Sequence, residues 1–78
     1  MYKRQEADRA LWDALKQCRK QLADEAGVPP FHVFHDATLM ELIQYRPKDN
    51  TELLTISGIG EVKSERFGEE FLKVLAQY

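Results

Sequence analysis

Three groups of residues in this chain have the types and spacing to meet a phosphate-bearing ligand. The first is Gly58-Ile59-Gly60, set between an apolar run that ends at Ser57 and a charged run that starts at Glu61. A glycine can take the left-handed backbone that ends one helix, and a second glycine can open the next. Ile59 between them reads as an apolar plug that pins the turn to the core. Such a short turn lets the following helix begin with unpaired N–H groups facing solvent, which suits a phosphate. A compact connector between two helices explains the same residues. The second group is cationic: Arg9, Lys16 and Lys20 fall on one side of a helix, opposite its leucines, and Lys63 lies just after the glycine turn. Lys16 and Lys20 also sit where a helix C-terminus favours positive charge, so a plain solvated face accounts for them as well. The third is Phe31, which follows Pro29 and Pro30, so that a stiff turn and not a helix face presents its ring. Its alternative is to pack inward against Phe34. His32 reads as an exposed neighbour, and with His35 it makes no metal site, because no third ligand is evident.

No Ser/His/Asp or Cys/His arrangement, pocket-forming carboxylate pair or metal-ligand spacing stands out, so no active site and no cofactor are expected. Cys18 is the single cysteine, which leaves no internal disulfide and points to a reducing, intracellular setting. The 78 residues suffice for one small domain, and 44% hydrophobic with 31% charged residues describes a globular chain. No apolar run reaches membrane-spanning length, and no membrane partner is expected. The formal net charge of −2 argues against strong binding to nucleic acid through bulk charge. Any such role must rest on a local patch.

The elements that would position these groups are all helices. Leu11, Leu15, Cys18 and Leu22 form one apolar stripe, predicting a helix from Glu6 to Ala26 that Gly27 closes. Val28-Pro29-Pro30 cannot continue it, and Phe31 to Phe34 reads as a short irregular or 3₁₀ segment. Asp36 is the expected N-cap of a second helix, residues 37–45, with Leu39, Met40, Leu42 and Ile43 facing the core. Asn50 is the expected cap of a third, residues 51–56. A fourth runs from Glu61 to about Gln77, burying Phe67, Phe71, Val74, Leu75 and Tyr78 on one face. Ion pairs Arg66–Glu70 and Glu69–Lys73 are expected on its polar side. Trp12, Phe67 and Phe71 are assigned to the core, Arg19 to holding carbonyls or a carboxylate, and Gly68 to a close approach between helices. The fold class is all-α, a small bundle of four to five helices with a helix-Gly-Ile-Gly-helix hairpin.

Leu11-Trp12 with Leu15, Arg19, Leu22-Ala23, Val28-Pro29-Pro30-Phe31, Val33-Phe34 with Asp36 and Thr38-Leu39, and the hairpin through Arg66-Phe67-Gly68 occur in one order. That order resembles the HRDC domain, the helicase-and-RNase-D C-terminal module, most closely as found in bacterial RecQ DNA helicases. The resemblance covers roughly residues 8 to 76 of a single domain spanning residues 1–78. It implies a five-helix bundle, with an extra short helical turn within residues 28–34, taken from a larger helicase. The implied role is auxiliary: weak binding of single-stranded DNA and tuning of substrate choice, in bacterial DNA repair and recombination. A cytoplasmic, nucleoid-associated monomer is implied with it. HRDC domains of RecQ type commonly carry an aromatic at the place of Phe31 that helps to bind the strand. Phenylalanine keeps base stacking there, where a tyrosine would add a hydroxyl. The residues that would carry binding are Phe31, Lys16, Lys20, Lys63 and His32. No phosphate-binding loop of the Walker type is present, so these residues cannot hydrolyse ATP by that route. Two other readings fit the same residues. One is a protein-docking module that presents an acidic surface to a partner or, in cis, to the helicase core. The other is the RNA-binding module of an RNase D-like exoribonuclease.

Overall fold

A computed structural model describes residues 6–78. Helix α1 spans Glu6–Ala26, α2 Pro30–Val33, α3 Asp36–Tyr45 and α4 Asn50–Leu53. Helix α5, Glu61–Lys63, passes through a π-helical turn, Ser64–Gly68, into α6, Glu69–Ala76. No strand interrupts the described residues, so the all-α class holds. The core has one centre. Leu11 and Leu15 of α1, Val33 of α2, Leu39 and Leu42 of α3, Leu53 of α4 and Phe71 of α6 are completely buried around Phe34. The Phe34 ring lies 4.9 Å from that of Phe71 and 6.4 Å, edge-on, from that of Phe67, separations at which aromatic pairs attract.

Helix α1 stops as its sequence dictates. Gly27 takes φ +71, its N–H bonds Asp24 O, and Val28 N–H reaches back to Ala23 O at 3.0 Å. This paired closure satisfies carbonyls that the helix end would leave bare. Of the expected stripe, Leu11 and Leu15 are buried, Cys18 and Leu22 are half-buried, and Ala23 fills the last core position. Burial and the charges of Glu70 and Glu25 push the Cys18 thiol up from its ordinary 9.0 to about 11. Trp12 is half-buried at the core margin.

Several expectations need correction. Phe31–Phe34 is not irregular: Pro30 starts a helical turn, with proline at the position whose missing N–H costs nothing. The cap of α3 is His35, without a side-chain bond, because the Asp36 carboxylate is taken by Arg19 at 2.7 Å. The cap of α4 is Asp49, not Asn50; its carboxylate accepts from Glu52 N at 2.9 Å, while Glu52 Oε1 accepts from Lys48 N. Helix α4 ends at Leu53 and not at Ile56, since Thr55 and Ile56 form tighter bonds to Glu52 O and Leu53 O. Met40 is 51% exposed and Tyr78 is largely exposed, whereas Thr38 is buried and donates to Ser57 O at 3.0 Å. Neither predicted ion pair on the last helix forms as drawn. Lys73 reaches Glu70 at 3.5 Å, and the Arg66 guanidinium lies 4.9 Å over the Phe67 ring.

The glycine hairpin is built as expected. Gly58 has φ +85, Ile59 is 5% exposed, and Gly60 stands at the extended cap position of α5. Gly68 is buried where a methyl group would stand 2.7 Å from Leu53 Cδ2, so its bare backbone is what lets α4 approach the π turn. A third left-handed residue, Arg46, ends α3 ahead of Pro47, whose ring disfavours a helical residue before it. Its guanidinium bonds Asp8 at 2.9 Å and Tyr78 O at 2.8 Å, tying α1, α3 and the end of α6 together.

Candidate nucleic-acid interface

Pro29 is extended at φ −64, ψ 152, and Pro30 begins α2, so residues 31–33 are held in one tight turn against α1. Within that turn Val33 points into the core and Phe31 points out, 55% exposed. Phe34, one residue beyond the turn, supplies the inward aromatic instead. Two imidazoles are in ring contact with Phe31. His35 lies 6.1 Å away with its plane within 26° of parallel, and His32 lies 5.4 Å away and tilted.

Beside this ring cluster runs a groove between α1 and the α2–α3 junction. One part, about 550 Å³, is lined by Arg19, Pro30, Phe31, His35, Asp36 and Ala37. A second, about 500 Å³, includes Asp13, Lys16, Lys20 and Asp24, and shares Arg19 and Pro30 with the first. The groove thus brings Phe31, Lys16 and Lys20 onto one surface; His32 touches the Phe31 ring but lines neither part. Lys63 is half-buried at the glycine hairpin and lines neither part.

The charges in this groove are largely answered from within. The Arg19 side chain is 12% exposed and donates to Phe34 O at 3.0 Å and to Asp36 at 2.7 Å. It holds α1 to the α2–α3 junction, the structural role expected of it, with its stem over the core. Lys20 pairs with Asp24 at 3.3 Å, both well exposed. The Lys16 ammonium stands 5.6 Å above the Trp12 ring. At surface dielectric such contacts are weak and yield readily to a phosphate. The site can therefore offer one free aromatic face and a few loosely held cations. Sequence reasoning missed His35 as a member of the ring cluster. The available signal was its spacing of four from Phe31, hidden because α2 ends at Val33 and residue 35 is the extended cap of the next helix.

The family model of the HRDC domain matches residues 8–75. The chain belongs to the HRDC domain family. Its bundle superimposes on a solved structure described as "D. radiodurans RecQ HRDC domain 3" with a TM-score of 0.86 and 34% identity, covering 90% of this chain and 92% of that one. Among curated proteins it is 45% identical over 71 residues to the ATP-dependent DNA helicase RecQ of Haemophilus influenzae, which is 91% of this chain and 12% of that protein. It is 44% identical over 68 residues to RecQ of Bacillus subtilis, 87% of this chain and again 12% of the relative. The chain thus spans about an eighth of the length of these helicases, and the likeness concerns this one module of them. No described helix of this HRDC domain is long and apolar enough to cross a membrane.

Proposed function

We propose that this HRDC domain is an auxiliary module of a RecQ-type DNA helicase that binds single-stranded DNA weakly along the Phe31 groove and so tunes which substrates the motor engages. The exposed Phe31 ring beside the Lys16–Lys20 face carries this reading. A base stacked on such a ring contributes about 1–3 kcal/mol with little regard to sequence. The cations beside it are few and partly paired, and the chain is net negative. Binding is accordingly micromolar or poorer. With two or three phosphates neutralised, the affinity falls with salt on a shallow slope, roughly −1.5 to −2 in logarithmic terms.

The test is a titration with oligothymidylate followed by amide chemical shifts. Shifts centred on residues 30–35 and on Lys16 and Lys20 support the reading. Phe31→Ala lowers affinity a few-fold to about tenfold, whereas Lys73→Ala, already paired with Glu70, changes little. Absence of any shift at millimolar DNA refutes it. A second reading has its own observation. Glu61, Glu65, Glu69 and Glu70 are all exposed along the last helical rod, next to Val62 at 67% exposure. That surface suits docking on a basic partner such as a helicase core in cis, and shifts confined to it on adding such a partner would favour this alternative.

A further inference from the structure

We infer that His32 and His35 are phosphate-contacting residues of the Phe31 groove, and that their protons set how strongly it holds a single strand. The inference rests on the proposed DNA reading of that groove. Its motive is an electrical balance. The cations lining the groove are Lys16, Arg19 and Lys20, and the carboxylates are Asp13, Asp24 and Asp36. Two of these cations are already bonded to two of these carboxylates. With neutral imidazoles the formal charges of the groove cancel, and a phosphate must win its cations from their present partners. Among the described residues, the two histidines are the other titratable groups in ring contact with Phe31.

Histidine is the side chain whose charge ordinarily changes between about pH 5 and 8. Both imidazoles belong to exposed residues, so a bound strand can reach each of them. Arg19 and Asp36 line the same part of the groove as His35, and the α1 side chains Asp13, Lys16, Lys20 and Asp24 line the part next to it. Arg19 neutralises Asp36, which leaves an imidazolium at His35 free to meet a phosphate. The same two rings extend the stacking surface when neutral, so some binding persists at higher pH.

The experiment is an oligothymidylate titration at about pH 8 and about pH 6, because thymine does not titrate in the imidazole range. Affinity rises about three- to tenfold on going to the lower pH, since each exposed ion pair contributes at most about fivefold. The logarithmic salt slope steepens by about 0.7 for each phosphate gained. In the unsubstituted protein the imidazole proton resonances titrate at higher pH with DNA present than without it. His32→Gln/His35→Gln binds somewhat more weakly than the parent at about pH 8, through the lost ring surface, and shows no further gain at about pH 6, with an unchanged circular-dichroism spectrum. A parent affinity that does not change with pH, or a double variant that keeps the full pH dependence, overturns the inference. The underlying reading fails differently, through Phe31→Ala binding as tightly as the parent at about pH 8.

Discussion

Exchanging Gly58 for alanine tests the hairpin at its most constrained atom. Gly58 sits at φ +85, where a side chain costs about 1–2 kcal/mol of backbone strain. A methyl group there would also stand 2.6 Å from Thr38 Oγ1, inside any tolerable contact. Thr38 is 4% exposed, and its hydroxyl donates to Ser57 O at 3.0 Å, so moving it away breaks the bond that fastens the turn to α3. A buried hydroxyl left without its partner costs about 1–3 kcal/mol. Gly58→Ala is therefore expected to destabilise by about 2–4 kcal/mol, a large part of the ~5–10 kcal/mol typical of a domain this size. Urea denaturation followed by circular dichroism measures it, and the melting temperature falls by about 10–25 °C. Gly60→Ala is the control. Gly60 has φ −94 and nothing within 4 Å of a built Cβ, so its replacement costs less than about 1 kcal/mol, the loss of a favourable cap residue. A Thr38→Ala background removes the clashing oxygen, and there Gly58→Ala costs only the strain, about 1–2 kcal/mol. Additivity of the two substitutions to within about 0.5 kcal/mol would refute the contact. Equal losses at Gly58 and Gly60 would refute the hairpin account altogether.

Two further outcomes follow from buried groups. Ile59→Asp puts a carboxylate where the structure holds a 5% exposed apolar plug, and a loss above about 4 kcal/mol is expected; a melt matching that of the parent would contradict it. Cys18, with its thiol held up to about 11, is expected to react with iodoacetamide at pH 8 about a hundredfold more slowly than a thiol at 9.0, in proportion to its thiolate fraction. The same shift makes the folded state bind the proton more tightly than the unfolded one. Its contribution to stability is intact below pH 9.0 and is lost as pH rises toward about 11, which denaturation at stepped alkaline pH would follow in the parent and not in Cys18→Ala.

What the sequence made legible was the part governed by local rules. The stripe through Leu11 and Leu15 and the glycine at 27 placed α1 and its C-terminal end correctly, and the Gly-Ile-Gly hairpin and the bare Gly68 were readable from residue type alone. The caps of α3 and α4 each fell one residue from expectation. In each case two adjacent polar residues could serve, and partners decided: Arg19 drew Asp36 away, and Glu52 N–H took Asp49. The π turn carried no compositional mark, and it upset the pairing drawn between Arg66 and Glu70, which assumed an unbroken 3.6-residue period. At the candidate site, two prolines announced the outward Phe31. Of the carboxylates that balance its groove, Asp24 stood four residues from Lys20 on the same helix and was legible, whereas Asp36 meets Arg19 only after α1 packs against the α2–α3 junction.

The π turn at Ser64–Gly68 has a bearing on how this segment tolerates changes in length. A π turn bonds each amide one residue further back than an α turn does, so it takes up one more residue within a helix that otherwise continues. Deleting one residue there, such as the exposed Glu65, would let the rod relax to α geometry while Ile59 at one end and Phe71 at the other kept their seats in the core. Elsewhere in the rod, within Glu69–Ala76, the same deletion would rotate Phe71 or Leu75 by about 100° and carry it out of the core. Single-residue gaps between this chain and its relatives belong in the π turn, where the helix has slack to absorb them.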